Sequence, residues 1–229
     1  MTDDSPKKYF TSYPLALVAA AMTLGIEAWR WPERSLRVLV VFAHPVETSF
    51  VAALRARIVE ILRGSGHIVD DLDLYAEKFD PVMSRETLLH YVDTSANARE
   101  VEGYVERLRA AEALVLVFPV WFDGLPAILQ GYFQRVFLPG VATRIDEAGL
   151  FHPNLHHIKR MAAVCAYGEG RSGVAAKKDP ARRFVRDNIR ALVDPKGRFE
   201  YLPLYNMDFN ASSRRAAFMK RVTRAFESW

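Results

Sequence analysis

Apolar and polar residues follow one another in blocks along this chain, and the period of the blocks changes in a regular order. Residues 36–44, "LRVLVVFAH", form a short continuous apolar run, the pattern of a β-strand buried on both faces. Thr48 or Ser49 then caps a predicted helix whose apolar positions Val51, Leu54, Ile58 and Ile61 recur at helical spacing, and Gly64 and Gly66 end it. Further strand-like runs occupy 67–75, 113–118, 160–167 and 199–207. Helical spacing fills the intervals. It is carried by Val101, Tyr104, Val105 and Leu108, and by a segment opened by Pro126 and closed at Gly140. It returns at Val185, Ile189 and Leu192 behind Asp179 and Pro180, and again at Phe218, Val222 and Phe226.

Five strands alternating with helices, joined by crossovers long enough for parallel pairing, predict an α/β fold. The expected architecture is a three-layer sandwich around a five-stranded parallel sheet, in the doubly wound order 2-1-3-4-5. Residues 36–229 are expected to form this domain. Residues 1–35 read differently: Lys7 and Lys8 precede an apolar run from Pro14 to Ile26. That run is shorter than the roughly 18 residues of a spanning helix, and Asp3 and Asp4 do not suit a signal sequence. An N-terminal extension packed on the domain is the favoured expectation. Export, or membrane association through residues 10–31, is the minority alternative.

Composition narrows the partners. The formal charge of +4 and a pI of about 9.2 suit an anionic ligand, a nucleic acid or an anionic membrane equally. Arg182, Arg183, Arg186, Arg214, Arg215, Lys220, Arg221 and Arg224 fall on two amphipathic helices without a recognition motif, so they are read as solvated faces and no nucleic-acid partner is expected. Cys165 is the only cysteine, which excludes an intrachain disulfide and agrees with a cytoplasmic location. The three histidines of "FHPNLHHIK" (151–159) lack a fourth ligand, so they are read as a surface turn and no metal is expected.

In an open parallel sheet, ligands collect at the carboxyl ends of the strands, beside the switch in strand order. Three loops should meet there: "AHPVETSF" (43–50), "PVWFDGLP" (119–126) and "AYGEGRSG" (166–173). The first offers His44, Thr48, Ser49 and the free N–H groups of a helix start, a site for phosphate. Neither a dinucleotide-binding glycine fingerprint nor a Walker loop is present. Trp121 and Phe122 in the second loop either fill core or wall a flat ligand, and the residues alone leave that open. The glycines of the third allow close backbone approach and N–H donation to developing negative charge.

The stretches "HPVETSF", "DLDLYAEKFDPVMS", "FPVWFDGLPAILQGYFQRVF" and "LYNMD…RRAAFMKRV" together resemble the NAD(P)H:quinone oxidoreductases of the flavodoxin-like superfamily, the DT-diaphorase-like family. The resemblance runs from about Leu36 to the C-terminus. It implies a flavodoxin-like fold, a bound flavin (FAD, with FMN as the alternative) and NADH or NADPH as electron donor. It further implies a homodimer and two-electron, ping-pong hydride transfer to a quinone-like acceptor. Carried over by position, His44, Ser49 and Phe50, beside Thr48, would contact the flavin phosphates and ribityl chain. Pro119, Val120, Trp121 and Phe122 would hold the ring, and Tyr167, Gly168 and Gly170 would line its pyrimidine edge. Tyr167 and Arg171 stand as candidate catalytic groups.

Cys165 and Ala166 replace the family's usual threonines, and Glu169 interrupts its glycine pair; a carboxylate facing reduced flavin is unfavourable, so Glu169 is expected to point outward. Two other classes fit the same fold: a regulatory subunit of a membrane potassium-efflux system, and a flavodoxin-type electron carrier. The basic charge and the absence of a serine/threonine-glycine phosphate loop rank the carrier last.

Overall fold

Each of the five runs expected to be a strand is one, and together they build a single parallel sheet. The computed structural model describes residues 35–207 and 212–229; the expectations for the N-terminal segment lie outside these residues. The strands are β1 (Arg37–Phe42), β2 (Ile68–Asp73), β3 (Ala113–Val120), a short hairpin β4 (Thr143–Ile145) and β5 (Phe151–Pro153), β6 (Arg160–Tyr167) and β7 (Arg198–Leu204). The sheet order is β2-β1-β3-β6-β7, the expected 2-1-3-4-5 once the β4–β5 hairpin is set aside. β1 pairs with β3 in the middle, with Phe42 opposite Val117, and β3 runs on beside β6 to Val120 opposite Tyr167. The carboxyl ends of β1, β3 and β6 therefore finish together, with β3 and β6 extending past β1.

The helices are α1 (Phe50–Gly64), α2 (Arg85–Leu89), α3 (Glu102–Ala110), α4 (Ala127–Val136), α5 (Arg171–Ala176), α6 (Pro180–Phe184) and α7 (Ser212–Phe226). Strand parity divides the core. Val38, Val40 and Phe42 of β1 and Val115 and Val117 of β3 face α1 and α7, where Leu54, Ile58, Phe218, Val222 and Phe226 meet them. Leu39, Val41, Leu114, Leu116 and Phe118 face the opposite layer, packed against Val105, Leu108, Leu129 and Tyr132. Burial on both faces explains why these strands read as unbroken apolar runs. Each fully buried aliphatic side chain contributes about 1.5–3 kcal/mol.

The structure departs from the pattern in particular places. The helix expected after Pro180 runs in α geometry only to Phe184, then widens into a π turn over Val185–Ile189 and tightens into a 3₁₀ turn over Arg190–Leu192. The segment read as a surface turn before β6 opens with the β4–β5 hairpin, in which the His152 ring lies 2.6 Å from Asp146. Short α5 has no amphipathic signature, because Val174 is its single buried residue. In α4, Gly131 is required by packing: a Cβ there would stand 2.3 Å from the Pro81 side chain. Among the described residues, no helix is long and apolar enough to cross a membrane.

Candidate functional site

Where β1, β3 and β6 end, a cleft of about 330 Å³ opens between their loops, within the roughly 300–1,000 Å³ common for small-molecule sites. Its floor is the start of α1. Ser49 is the N-cap, in extended conformation, and its Oγ accepts the Ala52 amide at 3.1 Å. Since Oγ is used as an acceptor, the hydroxyl hydrogen is left to donate outward. The first-turn amides of Phe50 and Val51 have no intrahelical acceptor by construction, and the positive end of the 15-residue helix lies with them.

His44 completes this donor set. Its Nδ1 accepts the Val46 amide at 3.0 Å. That bond leaves the ring hydrogen on Nε2, as a donor. Burial lowers the His44 pKa, so at neutral pH the ring is an uncharged N–H donor. An apolar strand end, a histidine donor, a serine donor and open helix amides form a set suited to phosphate oxygens.

The wall is a tight hairpin. Trp121 and Gly124 exchange backbone hydrogen bonds of 3.1 and 2.9 Å around Phe122 and Asp123, and both central residues have positive φ, 50° and 61°. This is the two-residue turn usually made by Asn-Gly or Gly-containing pairs, so a phenylalanine in its first central position is strained. Phe122 is fully exposed, at 107%, and Trp121 is 43% exposed. Neither is core. The Trp121 ring stands 5.8 Å from that of His44, tilted by 59°, so the aromatic wall rises directly over the phosphate-type donors.

An ionic clamp ties this wall to the opposite loop. Lys177, at the end of α5, donates to both carboxylate oxygens of Asp123 at 2.7 Å and lies 2.5 Å from Glu169. Glu169 thus turns to Lys177 and is not part of the cleft lining. Asn206 and Met207 pin the same loop from β7, their amides bonding the carbonyls of Glu169 and Tyr167 at 2.9 and 2.8 Å.

His44, Ser49, Phe50, Pro119, Val120, Trp121, Phe122 and Gly168 therefore come together around one cleft. Thr48 is an exposed turn residue beside it, and Gly170 caps α5 without lining it. The Tyr167 side chain points to the other face of the sheet, 2% exposed, with its hydroxyl 2.7 Å from Asp179 and 2.5 Å from the Tyr201 hydroxyl. Burial holds its phenol far above the ordinary range, and it pushes the neighbouring Cys165 thiol up to about 12. Arg171 lines a separate cavity next to β7.

Val51, Ala166 and Met207 also line the cleft, although the sequence did not assign them to the site. The Asp123–Lys177–Glu169 clamp was not foreseen either. The Asp-Gly dipeptide is a turn signal for the hairpin, but nothing local links it to a lysine 54 residues away.

Sheet order, a helix start with open amides and an aromatic wall at the switch point are the arrangement at which doubly wound α/β folds place a ligand. A profile of the family described as "Flavodoxin-like fold" matches residues 36–222, and the chain belongs to that family. Over 122 residues it is 34% identical to NAD(P)H dehydrogenase [quinone] 1 of Rattus norvegicus, covering 46% of this chain and 44% of the rat protein. It is 34% identical over 110 residues to an NAD(P)H oxidoreductase of Haemophilus influenzae, covering 48% and 54%. Among solved structures, the NAD(P)H:quinone oxidoreductase from Methanothermobacter marburgensis superposes with a TM-score of 0.73 at 24% identity, covering 85% of this chain and 98% of that one. The matches span about half the length of the rat and Haemophilus relatives. The resemblance to NAD(P)H:quinone oxidoreductases read from the sequence is thereby borne out.

Proposed function

We propose that this protein is a flavin-dependent NAD(P)H oxidoreductase that passes two electrons to quinones or similar flat acceptors. The observation that carries this reading is the placement of a rigid, exposed aromatic hairpin over a helix start whose outward groups are hydrogen-bond donors. That combination suits a ligand with a flat ring at one end and phosphate at the other. The relatives named for NAD(P)H-dependent oxidation support it.

The donor set fits a flavin phosphate, and the cleft fits its ring. His44 Nε2, the Ser49 hydroxyl and the Phe50 and Val51 amides would hold the phosphate, in FAD or alternatively FMN. Pro119 to Phe122 would face the ring from one side, and Gly168 would approach its edge. When bound, the flavin supplies the redox chemistry, accepting hydride from NADH or NADPH and passing two electrons on in a ping-pong sequence. The chain's own part is orientation and electrostatics. The clamp of Lys177 on Asp123 would hold the wall, and the amides of the Gly168–Gly170 loop would stabilise negative charge at the ring edge. Glu169 is turned to Lys177 and lies outside the cleft lining, which holds its carboxylate away from that charge.

A homodimer is part of the proposal. Val82, Leu88, Leu89 and Val92 around α2, and Leu150 and Phe151 on the hairpin, expose apolar side chains that association would cover.

The test is the visible spectrum of the purified protein before and after anaerobic NADH or NADPH, then after benzoquinone, with light scattering for the oligomeric state. Flavin absorbance that one nucleotide bleaches and quinone restores is the expected result and names the donor. A protein that stays colourless after FAD and FMN are offered overturns the reading. Bound flavin that neither nucleotide reduces favours the regulatory alternative.

A further inference from the structure

Beside β7, separated from the flavin cleft by the Tyr205–Met207 segment, lies a second, open cavity of about 410 Å³. Its charged lining is one-sided: Arg171, Arg182 and Arg221 against the single acidic residue Asp179. These arginines come from three different elements: α5, α6 and α7. None of the three has a carboxylate partner among the described residues, whereas Arg55, Arg107 and Arg135 are each held by acidic side chains. The Asp179 carboxylate is engaged elsewhere, because its Oδ1 accepts the Tyr167 hydroxyl at 2.7 Å and the Arg182 amide at 3.1 Å.

The cavity is also shaped. Arg182 lies over the Tyr201 ring at 5.4 Å, so its planar group is backed by an aromatic face. Tyr205 lines the same cavity as Arg171 and Arg182. The floor is held by a strained turn: Lys178 and Asp179 have consecutive φ values of 62° and 45°. Non-glycine residues in that region are uncommon, and two in succession mark a conformation imposed by its surroundings.

We propose that this cavity is a binding site for a phosphomonoester or diphosphate group, separate from the phosphate donors at the start of α1. Three arginines lining one cavity offer guanidinium N–H donors matched to phosphate oxygens. Two sources carry that chemistry. One is the phosphate-bearing adenosine end of the nicotinamide donor, reaching over the Tyr205–Met207 segment from the cleft; that source rests on the oxidoreductase reading. The other is a separate phosphorylated small molecule, which does not depend on it.

The experiment titrates inorganic pyrophosphate into the flavin-loaded full chain by calorimetry, comparing wild type with Arg182→Gln/Arg221→Gln. Flavin loading keeps the probe off the first site. Saturable binding weakened at least about tenfold in the double variant is expected. Arg182→Lys/Arg221→Lys, which keeps charge, should retain most of it, and matching thermal melts exclude misfolding as the cause. No binding to wild type, or binding indifferent to the glutamine variant, overturns the proposal. Kinetics then separate the sources. A KM for NADPH that rises in the glutamine variant while that for NADH holds points to the 2′-phosphate of the donor. Equal rises for both donors point to their shared diphosphate, and unchanged KM values with lost pyrophosphate binding point to a separate ligand. If the chain takes up no flavin at all, the same titration on the flavin-free protein still tests this site, while the oxidoreductase reading fails by itself.

Discussion

Lys177 reaches across to Asp123, with Nζ 2.7 Å from each carboxylate oxygen. The pair joins the end of α5 to the apex of the β3 hairpin, so one lysine ties together two of the loops that flank the cleft. All the partners are partly exposed, and exposed ion pairs add little to stability. Lys177→Met should therefore leave the thermal melt nearly unchanged while flavin affinity and turnover fall, by anything up to about 100-fold if the wall is displaced by an ångström. Fluorescence titration with flavin beside a melt checks this; a large loss of stability with unchanged flavin affinity would make the clamp a structural tie only.

Phe122 occupies a left-handed turn position that glycine would adopt without strain. Phe122→Gly should keep or raise stability, by up to about 1 kcal/mol. If the ring serves as a wall, the same change should lower flavin retention or turnover. Stability and activity moving in opposite directions is the signature to look for by urea denaturation and steady-state assay.

Ser49 has two roles that substitution can separate. Ser49→Ala removes the bond to the Ala52 amide and should cost about 1 kcal/mol. Ser49→Asp caps a helix as well as serine does. Its carboxylate would, however, face the site proposed for phosphate, so near-native stability with flavin binding weakened at least about tenfold is expected. Normal flavin binding by Ser49→Asp would place the phosphate elsewhere.

Burial lowers the pKa of both His44 and His67 from the ordinary 6.5. The unfolded chain therefore binds protons at a pH where the folded chain does not. Stability from these two groups is complete above about pH 6.5 and declines as pH falls through the lowered folded values. Urea midpoints should be level above neutrality and drop on the acid side. Because His67 is only 5% exposed and its Nδ1 accepts the Leu36 amide, His67→Gln should flatten that acid slope. An unchanged slope would assign the acid sensitivity to other groups.

Sequence alone determined the sheet. Strands such as "ALVLVF" are buried on both faces, so their apolar runs are unbroken, and the spacing between them leaves room only for crossover helices. From that order follows the position of the cleft, because strand order decides which loops meet at the switch point. His44, Ser49, Trp121 and Gly168 were legible for this reason. Tertiary structure alone decided where side chains point. Tyr167 and Gly168 are neighbours in the chain, yet the two-residue period of a strand sends the Tyr167 ring to the face opposite the cleft, against Asp179 and Tyr201. Arg171 is three residues further on, and the turn into α5 carries it into the second cavity. The contacts of Lys177 with Asp123 and of Arg171, Arg182 and Arg221 around one cavity join residues far apart in sequence. No local periodicity encodes such meetings, since they depend on how the packed layers bring separate elements together.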